Sequence, residues 1–163
     1  MALIVTEAPV LLSRPAAAVA GPGRWPVAWP QRELLLERQH QILRDQIADL
    51  TLAVLCGADQ PAAPAELGSG SQQLLRQQLL RQLRLHLRLE ERWLSACGCL
   101  CPGHRAIHQL VAHDSEEGLR QAGTDRQQQL IWLRGLQAWL LEHTGGPDAH
   151  AYALARSITP SQP

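Results

Sequence analysis

The chain contains no Lys, no Phe and no Asn, and only one Tyr and one Met. Its 15 basic residues are therefore all Arg, and 15 acidic residues balance them to a formal charge of zero. A surplus of positive charge is what tracks a phosphate backbone, so its absence argues against nucleic acid as a partner. No stretch approaches the ~18 uncharged apolar residues that a membrane span needs. The first twenty residues are apolar and end in Ala18-Val19-Ala20, but they lack a basic start and carry Glu7, Pro9, Arg14 and Pro15. That composition fits an extended arm over residues 1–24 better than a secretory signal. Three of the four Cys crowd into Cys97-Gly98-Cys99-Leu100-Cys101, too close together to staple distant elements. A reducing cytoplasm is the expected compartment. At 163 residues the chain suits one domain, expected over 25–157 with a tail at 158–163, and is short for two.

Against these absences stands a surplus of His: seven, beside a single Tyr. Their places follow from the helical pattern. From Gln31 to about Leu55 there is no Pro or Gly, and apolar residues recur at Leu36, Leu43, Ile47, Leu50 and Val54. The seam position missing between Leu36 and Leu43 is His40. Residues 57–71 read as a linker of Gly, Ala, Pro and Ser. A second helix is expected from about Gln72 to Ala96, with a seam of Leu75, Leu79, Leu83, His86, Glu90, Trp93 and Cys97. A third runs from Gly103 or His104 to about Gln121, with His104, His108, Val111 and Ser115 inward. Thr124-Asp125 is the expected N-cap of a fourth, from Arg126 to about His143, with Trp132, Leu136, Trp139 and His143 inward. Gly145-Gly146-Pro147 is expected to stop it. One or two further turns follow from Asp148 to about Arg156. Four such helices with short links predict an all-α, antiparallel up-down-up-down four-helix bundle.

Polar residues thus sit where the seams call for leucine: His40, His86, Glu90, His104, His108 and His143. Each ionisable group buried without a partner costs on the order of several kcal/mol. A metal satisfies them together, because lone pairs become bonds. The spacing agrees. His86 and Glu90, and likewise His104 and His108, are i,i+4 pairs on one helix face. Asp148 follows His143 by five, which turns about 140° around a regular helix and away from that face. It becomes a ligand only if the helix is interrupted, and Gly-Gly-Pro interrupts it. A lone His40 or an isolated His-x-x-x-His is weak; four sets in the inward register, one per helix or helix end, are not.

The set and its order resemble the hemerythrin family. The family pattern is a His on the first helix, His-x-x-x-Glu on the second, His-x-x-x-His on the third and His-x-x-x-x-Asp at the end of the fourth. Here it reads His40, His86-Leu-Arg-Leu-Glu90, His104-Arg-Ala-Ile-His108 and His143-Thr-Gly-Gly-Pro-Asp148. Glu37, Glu91 and Trp139-Leu-Leu-Glu-His143 resemble its flanking residues, and the resemblance covers about residues 25–155. The chain departs from the pattern in a longer Pro/Ala/Gly connection after His40, a longer stretch from His108 to His143, and Leu87 where an aromatic is common.

Five imidazoles and two carboxylates suit a pair of non-haem irons. If both carboxylates and one oxo or hydroxo group bridge, one iron is filled and the other keeps one open position. The resemblance implies that His104, His108 and His143 hold the filled iron and that His40 and His86 hold the open one. It implies that Glu90 and Asp148 bridge, and that dioxygen binds at the iron held by His40 and His86. The expected role is an oxygen carrier, store or supplier and not an enzyme. An oxygen or redox sensor and a diiron enzyme, peroxidase-like or iron-donating, are the alternatives. Carboxylate-rich diiron oxidases use two Glu-x-x-His motifs; only Glu37-Arg-Gln-His40 is present. A zinc site on Cys97, Cys99, Cys101 and His104 is a further rival, but Cys-x-Cys-x-Cys is compressed against the usual structural spacing. A redox-sensing thiol loop is the minority reading of those Cys. His113 and His150 fall off the ligand face and are expected at the surface, as are the Gln tracts.

Overall fold

The computed structural model describes residues 29–56 and 65–158, with side chains over 31–56 and 70–158. The expected arm over 1–24 and all of the expected tail but Ile158 lie outside the described residues. Every regular element among the described residues is helical: α1 (Trp29–Cys56), α2 (Ala65–Ala96), α3 (Pro102–Ala122), α4 (Arg126–His143), a π-helical turn (Thr144–Asp148) and α5 (Ala149–Ile158). In the bundle α1 lies against α2 and α4, and α3 lies against α2 and α4.

The seams do the packing. Leu36, Leu43, Ile47, Leu50 and Val54 of α1 are buried, as are Leu79, Leu83 and Trp93 of α2. Trp132 enters between α3 and α4, its Nε1 donating to the Ser115 carbonyl at 3.0 Å. Gly118 makes room for that ring: a Cβ there would stand 2.6 Å from Trp132 Cδ1. Asp125 caps α4, its carboxylate accepting from the Gln128 amide at 3.0 Å. From the first turn of α4, Arg126 donates to the carbonyls of Val54 and Leu55 and so satisfies the end of α1.

Three expectations change. The second helix starts at Ala65, inside the expected linker, because Ala65, Glu66 and Leu67 favour helix enough to carry it through Gly68 and Gly70. Gly-Gly-Pro does not stop the fourth helix; the chain widens by one π turn and continues as the ten residues of α5, longer than one or two turns. Leu75 is 51% exposed, and the inward place goes to Arg76. A straight helix drifts against a strict heptad, and before Leu79 the buried stripe passes to that neighbour.

Arg76 is 5% exposed, and its Nε and Nη1 have no hydrogen-bond partner. Two buried guanidinium nitrogens without partners oppose folding. Arg76→Leu is expected to raise stability by about 1–4 kcal/mol, read as a higher urea midpoint. A lower midpoint would show that the guanidinium is satisfied in solution.

Two apolar clusters fill the interior. The larger runs from Leu43, Leu83 and Leu140 towards Val54 and Leu133. The smaller holds Leu36, Trp93, Leu94, Cys99, Tyr152 and Ala155. Along each of α1, α2 and the α4–α5 run, the buried His and carboxylates fall between members of the two clusters.

Candidate metal centre

All seven residues singled out by the pattern are brought together, and none is more than 4% exposed: His40, His86, Glu90, His104, His108, His143 and Asp148. Helix geometry delivers each. On α2 and α3 the i,i+4 spacing stacks two side chains over one turn. The π turn delivers Asp148. Its hydrogen bonds close at i→i+5, so residues five apart stack as residues four apart do in an α-helix. The result is that His143 Nε2 lies 2.8 Å from Asp148 Oδ1. Pro147 lies inside this turn, where its missing N–H costs no regular α-helical bond.

The ligand atoms converge. His108 Nε2 is 3.0 Å from His104 Nε2 and 2.9 Å from His143 Nε2. Asp148 turns Oδ1 to His104 and His143 and Oδ2 to His40, at 3.2, 2.8 and 3.2 Å. Glu90 places Oε2 3.6 Å from His86 and 3.5 Å from His108. Two sets of donor atoms lie close enough to share an ion: Glu90, His104, His108, His143 and Asp148; and His40, His86 and Asp148.

The donors fit a metal. Both nitrogens of His40, His86 Nε2, and both oxygens of Glu90 and Asp148 are buried with no hydrogen-bond partner. Orphans of this number are not tolerated without compensation. The packing of the imidazoles is equally telling. Nitrogens about 2.1 Å from one ion and at right angles to each other stand about 3 Å apart. That is the spacing His108 keeps to His104 and His143.

Surrounding groups orient the rings. His108 Nδ1 lies 3.2 Å from Glu91 Oε1, and His86 Nδ1 lies 3.2 Å from Gln39 Oε1. An Nδ1–H donated to these oxygens leaves the Nε2 lone pair facing the centre. Glu37 stands 3.6 Å from His40 Nδ1 on the exposed side. Trp139 stacks on His143 with ring centroids 4.5 Å apart.

Electrostatics support ligation. Burial, and then neighbouring imidazoles, push His86 and His108 down to about 3, so both are neutral at physiological pH. Burial and the Asp148 carboxylate push Glu90 up, which favours its protonated form in the metal-free chain. Burial works against ionisation of Asp148 too, but the close approach of the His104, His143 and His40 rings outweighs it and holds its carboxyl low.

Tyr152 and Gln39 were not legible as neighbours of the ligands. Tyr152 is buried on α5, stacks on His40 at 6.5 Å, and meets Trp93 edge-on at 4.8 Å. Its hydroxyl faces Glu90 without making a hydrogen bond of normal geometry, and burial, followed by the Glu90 and Asp148 charges, pushes it far up. Its spacing of four from Asp148 was the available signal; Gln39 gave none. His113 and His150 are exposed, as expected. The zinc alternative loses its His: His104 Nε2 faces the carboxylates, and the shared-ion groups among the described residues contain no Cys. Cys101 instead caps α3, its sulfur accepting from the His104 amide at 3.3 Å.

No helix among the described residues is long and apolar enough to cross a membrane. No family model, curated protein or solved structure matches this chain. The buried His, Glu and Asp cluster is a place where a metal ion can bind, in a four-helix bundle compatible with a hemerythrin-like centre.

Proposed function

We propose that the chain is a cytoplasmic hemerythrin-type protein, an antiparallel up-down-up-down bundle that holds two irons and binds dioxygen reversibly as a carrier, store or supplier. The observation that carries this reading is the division of seven buried ligands into two sets that share Asp148, with three imidazoles in one and two in the other. His104, His108 and His143 would hold one iron, and His40 and His86 the second, with Glu90 and Asp148 serving both. The second group offers fewer donors, which would leave room there for an external ligand. An iron pair, when bound, supplies the electrons for taking up dioxygen and recovers them on release.

The remaining side chains decide what reaches that position. Leu43, Leu83 and Leu140, each one helical turn from a His ligand, line a small apolar cavity with Trp139. Such walls admit a small uncharged molecule and disfavour water and anions. Gln39 and Glu91 fix the His86 and His108 rings from the side away from the centre. Reversible binding needs this dryness, because competing water promotes loss of the ligand and irreversible oxidation.

Oxygen cycling tests the reading. Iron-loaded, reduced chain should gain a visible charge-transfer band in air and lose it on deoxygenation, cycle after cycle. A band that decays irreversibly while peroxide or another substrate is consumed would replace the carrier reading with an enzyme. No band from a chain holding two irons would remove oxygen binding altogether.

A further inference from the structure

We propose that Tyr152 and Trp93 connect the metal centre to the Cys97–Cys99 dithiol as an electron path, through which the dithiol returns an oxidised centre to its reduced state. This rests on the redox-active iron reading of the centre. It concerns residues that the ligand set leaves unused: the single Tyr, a buried Trp and two of the three clustered Cys.

The geometry is continuous. Tyr152 lies parallel to the ligand His40, with ring centroids 6.5 Å apart. It meets Trp93 edge-on at 4.8 Å. The Cys97 thiol donates to the Trp93 carbonyl at 2.9 Å. Tyr152, Trp93 and Cys99 belong to one buried apolar cluster, and Cys97 packs against it. The cluster therefore runs without a break from a ligand ring to the loop after α2.

The loop folds Cys99 back beside Cys97. Gly98 takes φ +69°, a left-handed turn that any side chain would strain. The turn brings Cys99 Sγ to 3.5 Å from the Cys97 carbonyl oxygen. Cys101 differs: it is exposed, and its sulfur caps α3. Burial, and then the neighbouring Cys99, pushes the Cys97 thiol up to about 11. It thus stays protonated near neutral pH and reacts slowly with oxidants arriving from solvent.

The step balances. Two thiols release two electrons and two protons, and one S–S bond forms between Cys97 and Cys99. The electrons convert two ferric ions to ferrous ones. The protons leave to solvent at half-buried Cys97. A ferric pair carries more charge than two carboxylates offset, and in a buried layer each electron gained lowers that excess.

The test uses the full chain loaded with iron, oxidised in air and then kept without oxygen. Ferrous iron, free thiols and peptide masses are followed together. Free thiols should fall from the four of the reduced chain by two as two ferrous ions appear, with about two mass units lost from the peptide holding Cys97 and Cys99. Tyr152→Phe and Trp93→Phe should retain iron and slow the return about tenfold or more. Cys101→Ser should match the parent, and zinc-loaded chain handled identically should keep its thiols. Thiols that stay intact while two bound irons remain ferric would overturn the path alone. So would a Cys97–Cys99 disulfide that forms equally fast with zinc. A chain that binds no iron would overturn the diiron reading and this inference with it.

Discussion

Glu90→Ala and Asp148→Ala should each abolish retention of both metals, whereas His113→Ala should retain them. The two carboxylates face both groups of imidazoles: Asp148 by direct approach of one oxygen to each, and Glu90 through Oε2 between His86 and His108. Losing either removes charge compensation from both ions at once. Disturbing only an orienting partner costs 10–100-fold in affinity as an order of magnitude, so loss of a shared ligand should exceed that. Metal per chain after desalting is the readout. The metal-free variants carry a further expectation. Glu90 and Asp148 are orphaned buried groups, so Glu90→Leu should stabilise the metal-free bundle while destroying metal binding. A Glu90→Ala chain that keeps both metals would remove Glu90 from the ligand set.

Stripping the metal should cost more stability than any substitution away from the centre. A site filled at 1,000 times its dissociation constant adds about 4 kcal/mol, so two such sites add about 8 kcal/mol. The metal-free chain should then lose more as pH falls. His86 and His108 titrate near 3 in the fold and at an ordinary 6.5 when unfolded. Between those values the unfolded chain binds more protons, so acid favours unfolding. Glu90 acts oppositely: its folded carboxyl holds a proton that the unfolded one loses above 4.5. It offsets part of the His effect above 4.5, and that offset ends at lower pH, where both states hold the proton. Thermal midpoints of chelator-treated chain from pH 7 to pH 4 check this. A midpoint that rises on acidification would contradict the burial of the two imidazoles.

Helix periodicity made most of this arrangement legible. Fixed steps of three and four put His40, His86, Glu90, His104 and His108 on inward faces, because an α-helix admits no other register for them. Asp148 was legible only conditionally, as a ligand if the fourth helix is interrupted. The form of the interruption was not. Gly-Gly-Pro is a usual stop, and continuation through a π turn depends on α5 finding an apolar bed for Ala151, Tyr152 and Ala155. Tertiary packing also decided the points that local pattern missed. Leu75 and Arg76 differ by one step of 100°, and a gradual drift of the seam exchanges them. Tyr152 lies on the ligand face because the π turn re-phases α5, which no local propensity announces. Gln39 serves His86 from a different helix, a relation that only the assembled bundle contains.

The proposed function requires two ions of iron in one buried layer. Elemental analysis of the purified full chain tests it most directly. The ligand sets predict about two irons per chain. A single zinc with no iron, or no bound metal after anaerobic loading with ferrous ion, would contradict it.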